Sequence, residues 1–199
     1  MKPILMLMPS LNRQKSLAEA IESLITNGTG LHDILTLGIG GGSTAALNSV
    51  PMELIAQYQI IGLFNDDTRM RTKGWDVCVL DHLTRSPGLI YGRDGIQDEQ
   101  LCTHPFISSK AIQAVGFVQP PQLYHYYGDN FWGSLFLSLG AMRYCPELFT
   151  EHFNALARGL EQDKTTKVEN MHWETDSAAW QLIVKNELPA LIEKVRNVL

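Results

Sequence analysis

Apolar residues fall along this chain in two rhythms. Ile4 to Met8, Ile34 to Ile39 and Ile60 to Phe64 are short runs with almost no polar interruption, the pattern of strands covered on both faces. Between the first two, Leu17, Ala20, Ile21, Leu24 and Ile25 recur at helical spacing with Glu19 and Glu22 outside the stripe, which predicts a helix that Asn27-Gly28-Thr29-Gly30 terminates. Gly40-Gly41-Gly42-Ser43-Thr44 opens a second helix running to about Gln57, with Ser43 or Thr44 as its N-cap and Pro51 as a kink or interruption. Strand, polar loop and helix therefore repeat in order. That is an α/β fold with one mostly parallel central sheet flanked by helices.

The second half alternates less regularly. Val77, Leu80 and Leu83 predict a short amphipathic helix, Leu89 to Tyr91 and Leu101 to Ile107 predict strands, and Ser108 or Ser109 caps a helix holding Ala111, Ile112 and Val115. Residues 116–127 contain Pro120-Pro121 and the rings of Tyr124, Tyr126 and Tyr127; a loop of this length in a compact domain is usually functional or mobile. A helix apolar nearly all round spans Phe131 to Leu139, and Arg143 to Thr150 gives one or two short strands. Residues 155–171 are polar, and Ser177 to Leu199 reads as a C-terminal helix bent at Pro189. The expected division is an α/β domain over 1–155, with 156–199 as a polar segment and a helix packed on the same domain.

Composition changes this picture little. Hydrophobic residues at 45% and charged residues at 19% are ordinary for a soluble globular chain. A formal charge of −5 offers no global field for nucleic acid. Lys2 to Met8 is too short for a transmembrane span, and no signal-peptide cleavage pattern follows it. Cys78, Cys102 and Cys145 lie far apart without metal-type pairing, which fits reduced thiols in a cytoplasmic setting.

The chemistry concentrates where the third apolar run ends, at Asn65-Asp66-Asp67-Thr68-Arg69. Open parallel sheets bind ligands at the carboxyl ends of their strands, and hard oxygen ligands there suit Mg²⁺ or Mn²⁺ carrying a phosphate. An Asn-Asp-Asp turn is the competing explanation. Arg69, Arg71 and Lys73 follow at once and could hold a diphosphate or form a solvated basic turn.

This order of pieces resembles a family 2 glycosyltransferase of the A-type, Rossmann-like fold, over roughly residues 1–155. Pro9-Ser10-Leu11-Asn12-Arg13 is similar to that family's loop after the first strand, Phe64-Asn65-Asp66-Asp67 to its strand-ending metal motif, and Gly74-Trp75 to its downstream Gly-Trp. Ser108 to Phe117 resembles the helix and turn ahead of the acceptor-side acid. Gly128-Asp129-Asn130-Phe131-Trp132 resembles the motif that carries that acid, and Glu151-His152 the late histidine. Asn65 stands where an aspartate is common and Gly128 where Glu is usual. Only residues 1–63 precede the metal motif, so the nucleotide-binding half is short by about one strand-helix unit.

The resemblance implies a metal-dependent inverting hexosyltransferase-type enzyme. It would move a sugar from a nucleoside diphosphate sugar to a hydroxyl acceptor. It assigns Asp67 and His152 to Mn²⁺ or Mg²⁺, and Pro9, Ser10, Arg13, Asn65, Asp66 and Arg69 to the donor. Asp129 is the general base, with an N-cap role as the structural alternative. His104, Tyr127 and Trp132 fall to the acceptor side, where Tyr124, His125 and Tyr126 could extend a stacking platform or form an aromatic mini-core. A non-catalytic sugar- or nucleotide-binding module on the same fold is the other reading, and association into a homo-oligomer is left open.

Overall fold

The computed structural model describes residues 2–38, 40–154, 167–168 and 170–199. The chain begins with β1 (Ile4–Ser10), α1 (Gln14–Asn27) and β2 (His32–Gly38), continues through α2 (Gly42–Asn48) and α3 (Met52–Ile55), and reaches β3 (Ile60–Leu63). Next come β4 (Thr68–Met70), α4 (Trp75–Arg85), β5 (Leu89–Arg93), a 3₁₀ turn at Asp98–Gln100, β6 (Phe106–Ser108) and α5 (Ser109–Val115). Last are α6 (Gly128–Ser138), β7 (Met142–His152), α7 (Trp173–Asn186) and α8 (Leu188–Arg196).

The strands form one seven-stranded sheet in the order β2-β1-β3-β6-β5-β7-β4. β1 runs parallel to β2 and β3, and β5 parallel to β7, while β6 is antiparallel to β3 and β5, and β4 antiparallel to β7. The expected α/β architecture stands, and the sheet is mixed: its parallel character belongs to the β2-β1-β3 unit and the β5–β7 pair.

Side chains alternate across a sheet with period two, so a strand covered on both faces must be apolar at every position. β1 shows this directly. Leu5 and Leu7 join the core under α2, α3, α5, α6, α7 and α8, while Ile4, Met6 and Met8 join a second core under α1 and α4. In β3, a Cβ on Gly62 would meet Met6 Sδ at 2.4 Å and Phe106 at 3.0 Å. Glycine there lets a methionine and a phenylalanine from the flanking strands close over the sheet.

Several elements differ from the sequence expectation for identifiable reasons. α2 starts at Gly42 behind Gly41, and neither Ser43 nor Thr44 caps it; Pro51 ends that helix and precedes α3. The strand expected over Leu101 to Ile107 shrinks to β6, because His104 adopts a left-handed conformation (φ 50) and Pro105 follows. Three-residue β4 is too short for a periodicity to show. β7 is a single strand with a register shift between Cys145 and Phe149, where Pro146 sits without a ladder bond to lose. Pro189 divides the expected terminal helix into α7 and α8, whose Ile183, Leu188, Leu191 and Val195 enter the first core. Ile39, at the expected end of β2, and residues 155–166 and 169 of the polar segment lie outside the described residues.

Asp76, in the first turn of α4, holds the α1–β2 connection. Its fully buried carboxylate accepts N–H groups of Thr29 (2.9 Å), Gly30 (3.0 Å) and Leu31 (3.0 Å), and it lies 3.1 Å from His32 Nδ1. Burial alone would raise its pKa, but the bonds from Thr29, Leu31 and His32 prevail and lower it. A folded pKa below the unfolded one gives stability that is present above about pH 4 and lost as pH falls further. Asp76→Asn turns one acceptor oxygen toward donors as an NH₂ group. We expect a loss of roughly 2–4 kcal/mol in urea unfolding at pH 7, narrowing toward pH 3.

Candidate active site

A cavity of about 1000 Å³ opens beyond the carboxyl ends of β1 and β3, where open α/β sheets place their ligands. Pro9, Arg13, Asn65, Asp66, Asp67, His104, Tyr127, Asp129 and His152 all line it. Nine of the expected site residues, from five separate stretches of chain, thus meet at one opening.

Asp66 ties the first of these stretches together. Ser10 Oγ donates to Asp66 Oδ2 (2.7 Å), Arg13 Nη1 reaches Oδ1 (3.3 Å), and Ser16 Oγ donates to its carbonyl (2.8 Å). Burial raises the pKa of this carboxyl against the opposing effects of Ser10 and Arg13. Ser10 therefore acts on the cavity through Asp66 rather than by lining it. Arg69 is buried and does not itself line the cavity: its guanidinium pairs with Glu19 and donates to the carbonyls of Asp66 (3.0 Å) and Thr68 (2.9 Å). Arg71 pairs with Glu151 and Lys73 donates to the Thr26 carbonyl. The basic run pins β4 to its neighbours, and the expected diphosphate contact by Arg69 is not where this side chain lies.

The antiparallel β4–β7 ladder sets His152 opposite Thr68, one residue after Asp67. Two further backbone bonds fix the place: His152 N–H donates to the Asp94 carbonyl (2.9 Å) and Phe153 N–H to the Asp67 carbonyl (2.7 Å). The imidazole is thereby held between two carboxylates, with Nε2 3.5 Å from Asp67 Oδ1 and Nδ1 3.5 Å from Asp94 Oδ2. His104 completes the group, its ring edge-on to His152 at 4.7 Å and its Nε2 2.9 Å from Thr68 Oγ1. Burial opposes charge on His152, yet the two carboxylates raise its pKa to about 9. Burial, with the His152 charge added, pushes His104 down to about 3. His104 was expected on the acceptor side; the structure places it beside Asp67 and His152 instead.

This group suits a divalent cation. Asp67 Oδ1 and His104 Nδ1 are buried without a hydrogen-bond partner, and such groups are costly unless something satisfies them. Ligand atoms of Asp94, His104 and His152 lie within 4.8 Å of one another. Carboxylate oxygen beside imidazole nitrogen is a donor set that divalent metals share.

Asp129 lies in the first turn of α6. Tyr127, in the left-handed region (φ 68), is the N-cap, so the capping alternative for Asp129 falls away. Its Oδ1 accepts the N–H of Asn130 (2.9 Å), and burial raises its pKa. A Cβ on the preceding Gly128 would stand 2.0 Å from Gln119 Nε2, so a glutamate could occupy that position only if Gln119 moved. Trp132 is a core residue. It is fully buried and its indole N–H donates to the Val118 carbonyl (2.9 Å), which excludes the stacking role expected of it. The platform at the cavity is formed by Tyr126, Tyr127 and half-exposed Trp173, with Trp173 4.9 Å and 5.2 Å from the two tyrosine rings.

Sequence reasoning missed three positions that the structure places at or beside the cavity. Asp94 belongs to an Asp-Gly turn, 94–95; its Oδ1 accepts the N–H groups of Ile96, Gln97 and Asp98, and these bonds with His152 overcome burial to hold its pKa well below the usual range. Trp173 lay in a stretch without periodicity. Asp176 lies one residue before the expected last helix; it is buried and accepts successive N–H groups of Tyr124 (2.8 Å), His125 (2.9 Å) and Tyr126 (2.8 Å). That clamp anchors the end of the long loop.

No model of a known protein family matches the chain, and no curated protein matches it. Solved structures do. The mannosyltransferase PcManGT from Pyrobaculum calidifontis, solved with GDP-Man and Mn²⁺, is similar over 98% of this chain and 73% of its own, with a TM-score of 0.61 at 10% identity. TarS 1-349 from S. aureus, in complex with UDP, is similar over 75% of this chain and 59% of its own, with a TM-score of 0.55 at 10% identity. The A197 protein from STIV is similar over 77% of this chain and 86% of its own, with a TM-score of 0.53 at 13% identity. The chain has the fold of A-type glycosyltransferases, as the resemblance implied, and it spans less than two thirds of TarS 1-349. Among the described residues no helix is long and apolar enough to cross a membrane.

The His152 cluster has a measurable signature. A folded pKa of about 9, against about 6.5 unfolded, gives stability that is complete below pH 6.5 and lost as pH rises through 9, on the order of 2–3 kcal/mol. With chelator present, urea midpoints of the wild type should fall across that window more than those of His152→Gln. Parallel curves would mean that His152 is not held as a cation.

Proposed function

We propose that the chain is a metal-dependent, inverting glycosyltransferase that moves a sugar from a nucleoside diphosphate sugar to a hydroxyl acceptor. The observation that carries this reading is the convergence of the Asp67–His152 pair and Asp129 on one cavity, within a fold that structures of nucleotide-sugar enzymes share. Asp67 and His152, with Asp94 and His104 beside them, would hold Mn²⁺ or Mg²⁺. The imidazoles favour Mn²⁺ of the two. Bound there, the ion would neutralise charge on the departing diphosphate.

The chain's own residues account for the rest. Arg13 and Lys15 bring positive charge to the cavity wall beside the acids, suited to phosphate oxygens. Asp66 fixes Arg13 and Ser10 so that this charge is presented from one side. Asp129 takes the proton of the attacking hydroxyl, and the pKa rise that burial causes makes it a stronger base than an exposed aspartate. Attack from the side opposite the diphosphate inverts the anomeric centre. Tyr126, Tyr127 and Trp173 offer the acceptor a face for stacking. Residues 1–155 and 156–199 act together in this reading, because Trp173 and Asp176 complete the site. A cytoplasmic setting, with the thiols reduced, belongs to it too.

Two substitutions separate the roles. Asp67→Ala should abolish Mn²⁺-dependent binding of nucleoside diphosphates in calorimetry while the unfolding transition stays cooperative; unchanged heats would end the metal assignment. Asp129→Asn keeps the acceptor oxygen for the Asn130 N–H but cannot take a proton. Turnover should fall by roughly 10²- to 10⁴-fold with donor affinity preserved. NMR of the product's anomeric configuration tests inversion. Near wild-type transfer by Asp129→Asn would place the base elsewhere.

A further inference from the structure

A second cluster of metal-ligating side chains lies away from the cavity. Cys78 and His82 are four residues apart on α4, and so share a helix face. Cys145 comes from β7, where it pairs with Gly92 of β5. One ligand atom from each lies within 4.8 Å of the others. Glu147 adds a carboxylate nearby, close enough to Cys145 and His82 to act on them electrostatically. None of the four lines the cavity.

We propose that Cys78, His82 and Cys145 form a binding site for a thiophilic divalent cation of the Zn²⁺ type, with the nearby Glu147 carboxylate, which lies outside the present cluster, swinging in as fourth ligand. Two sulfurs, one imidazole nitrogen and one carboxylate oxygen are a tetrahedral zinc donor set. Their atoms would need to approach to about 3.5–3.8 Å of one another, a closure that side-chain rotation can supply. The thiols each give up a proton to solvent as the metal–sulfur bonds form. Arg143 places Nη1 3.0 Å from His82 Nδ1; its side chain is exposed and can swing aside as the cation takes that position. Cys78 and His82 are half-buried while Cys145 is buried, so a cation would enter from the helix side. Bound, it would tie α4 to β7, the strand whose far end carries His152. The site does not depend on the proposed transferase activity.

Cobalt and zinc titrations of the reduced, chelator-stripped full chain test this. Co²⁺ bound by thiolate gives a sulfur-to-cobalt charge-transfer absorption, which an oxygen and imidazole site such as Asp67–His152 does not. One equivalent of this absorption is expected, displaced by Zn²⁺, retained in Asp67→Ala, lost in Cys78→Ser, and weakened by more than tenfold in affinity in His82→Ala. Zn²⁺ should also raise the thermal midpoint of wild type but not of Cys78→Ser. Cys145 is buried and its substitution can unfold the chain, so the variants at half-buried Cys78 and His82 carry the test. The proposal is overturned by the absence of the band, by its persistence in Cys78→Ser, or by a Cys78–Cys145 disulfide forming in place of metal binding.

Discussion

The arrangement at the mouth of the sheet depends on one pairing, the short antiparallel ladder between β4 and β7. Thr68 opposite His152 is the contact that matters, because Asp67 immediately precedes it and the Asp94 carbonyl receives the His152 N–H. An imidazole between two carboxylates, beside a second and neutral imidazole, is costly to bury in isolation. It persists here because backbone hydrogen bonds on both sides leave those side chains nowhere else to go. The backbone thus pre-positions the side chains that would receive a cation, as a metal site requires.

The scaffold beneath that ladder is rigid for a different reason. β1 is packed on both faces by separate cores, and Gly62 lets Met6 and Phe106 close over β3 without a gap. The ends of β1 and β3 are therefore fixed, and so are Ser10, Asp66 and Arg13 that follow them. Asp76 and Asp176 serve the loops in the same way, each gathering successive backbone N–H groups onto a buried carboxylate. Three acids that look alike in sequence thus divide into two anchors of the backbone, Asp76 and Asp176, and a carboxylate facing the cavity, Asp67.

The basic run after the acids shows how charge in a sequence misleads. Arg69, Arg71 and Lys73 invite a diphosphate by position, yet each is consumed by a local partner. Trp132 misleads similarly: its motif position suggested a sugar platform, but its ring lies on the face of α6 that packs into the core. The aromatic face at the cavity is completed by Trp173, which begins a helix four residues before the start that periodicity indicates.

With the family resemblance pointing to Arg13, Asp67, Asp129 and His152, the sequence by itself determined the strand-helix order of the first half, the strand that ends in Asn65-Asp66-Asp67 and the α/β class. These are properties of local periodicity and of residue order, which a chain carries whether folded or not. Only the tertiary structure decided that β6 and β4 run antiparallel, that Asp94 and His104 flank His152, that Arg69 and Trp132 do not line the cavity, and that Cys78, His82 and Cys145 meet. Each of those depends on partners distant in sequence, and on a strand such as β4 whose three residues acquire their conformation only from the ladder they join.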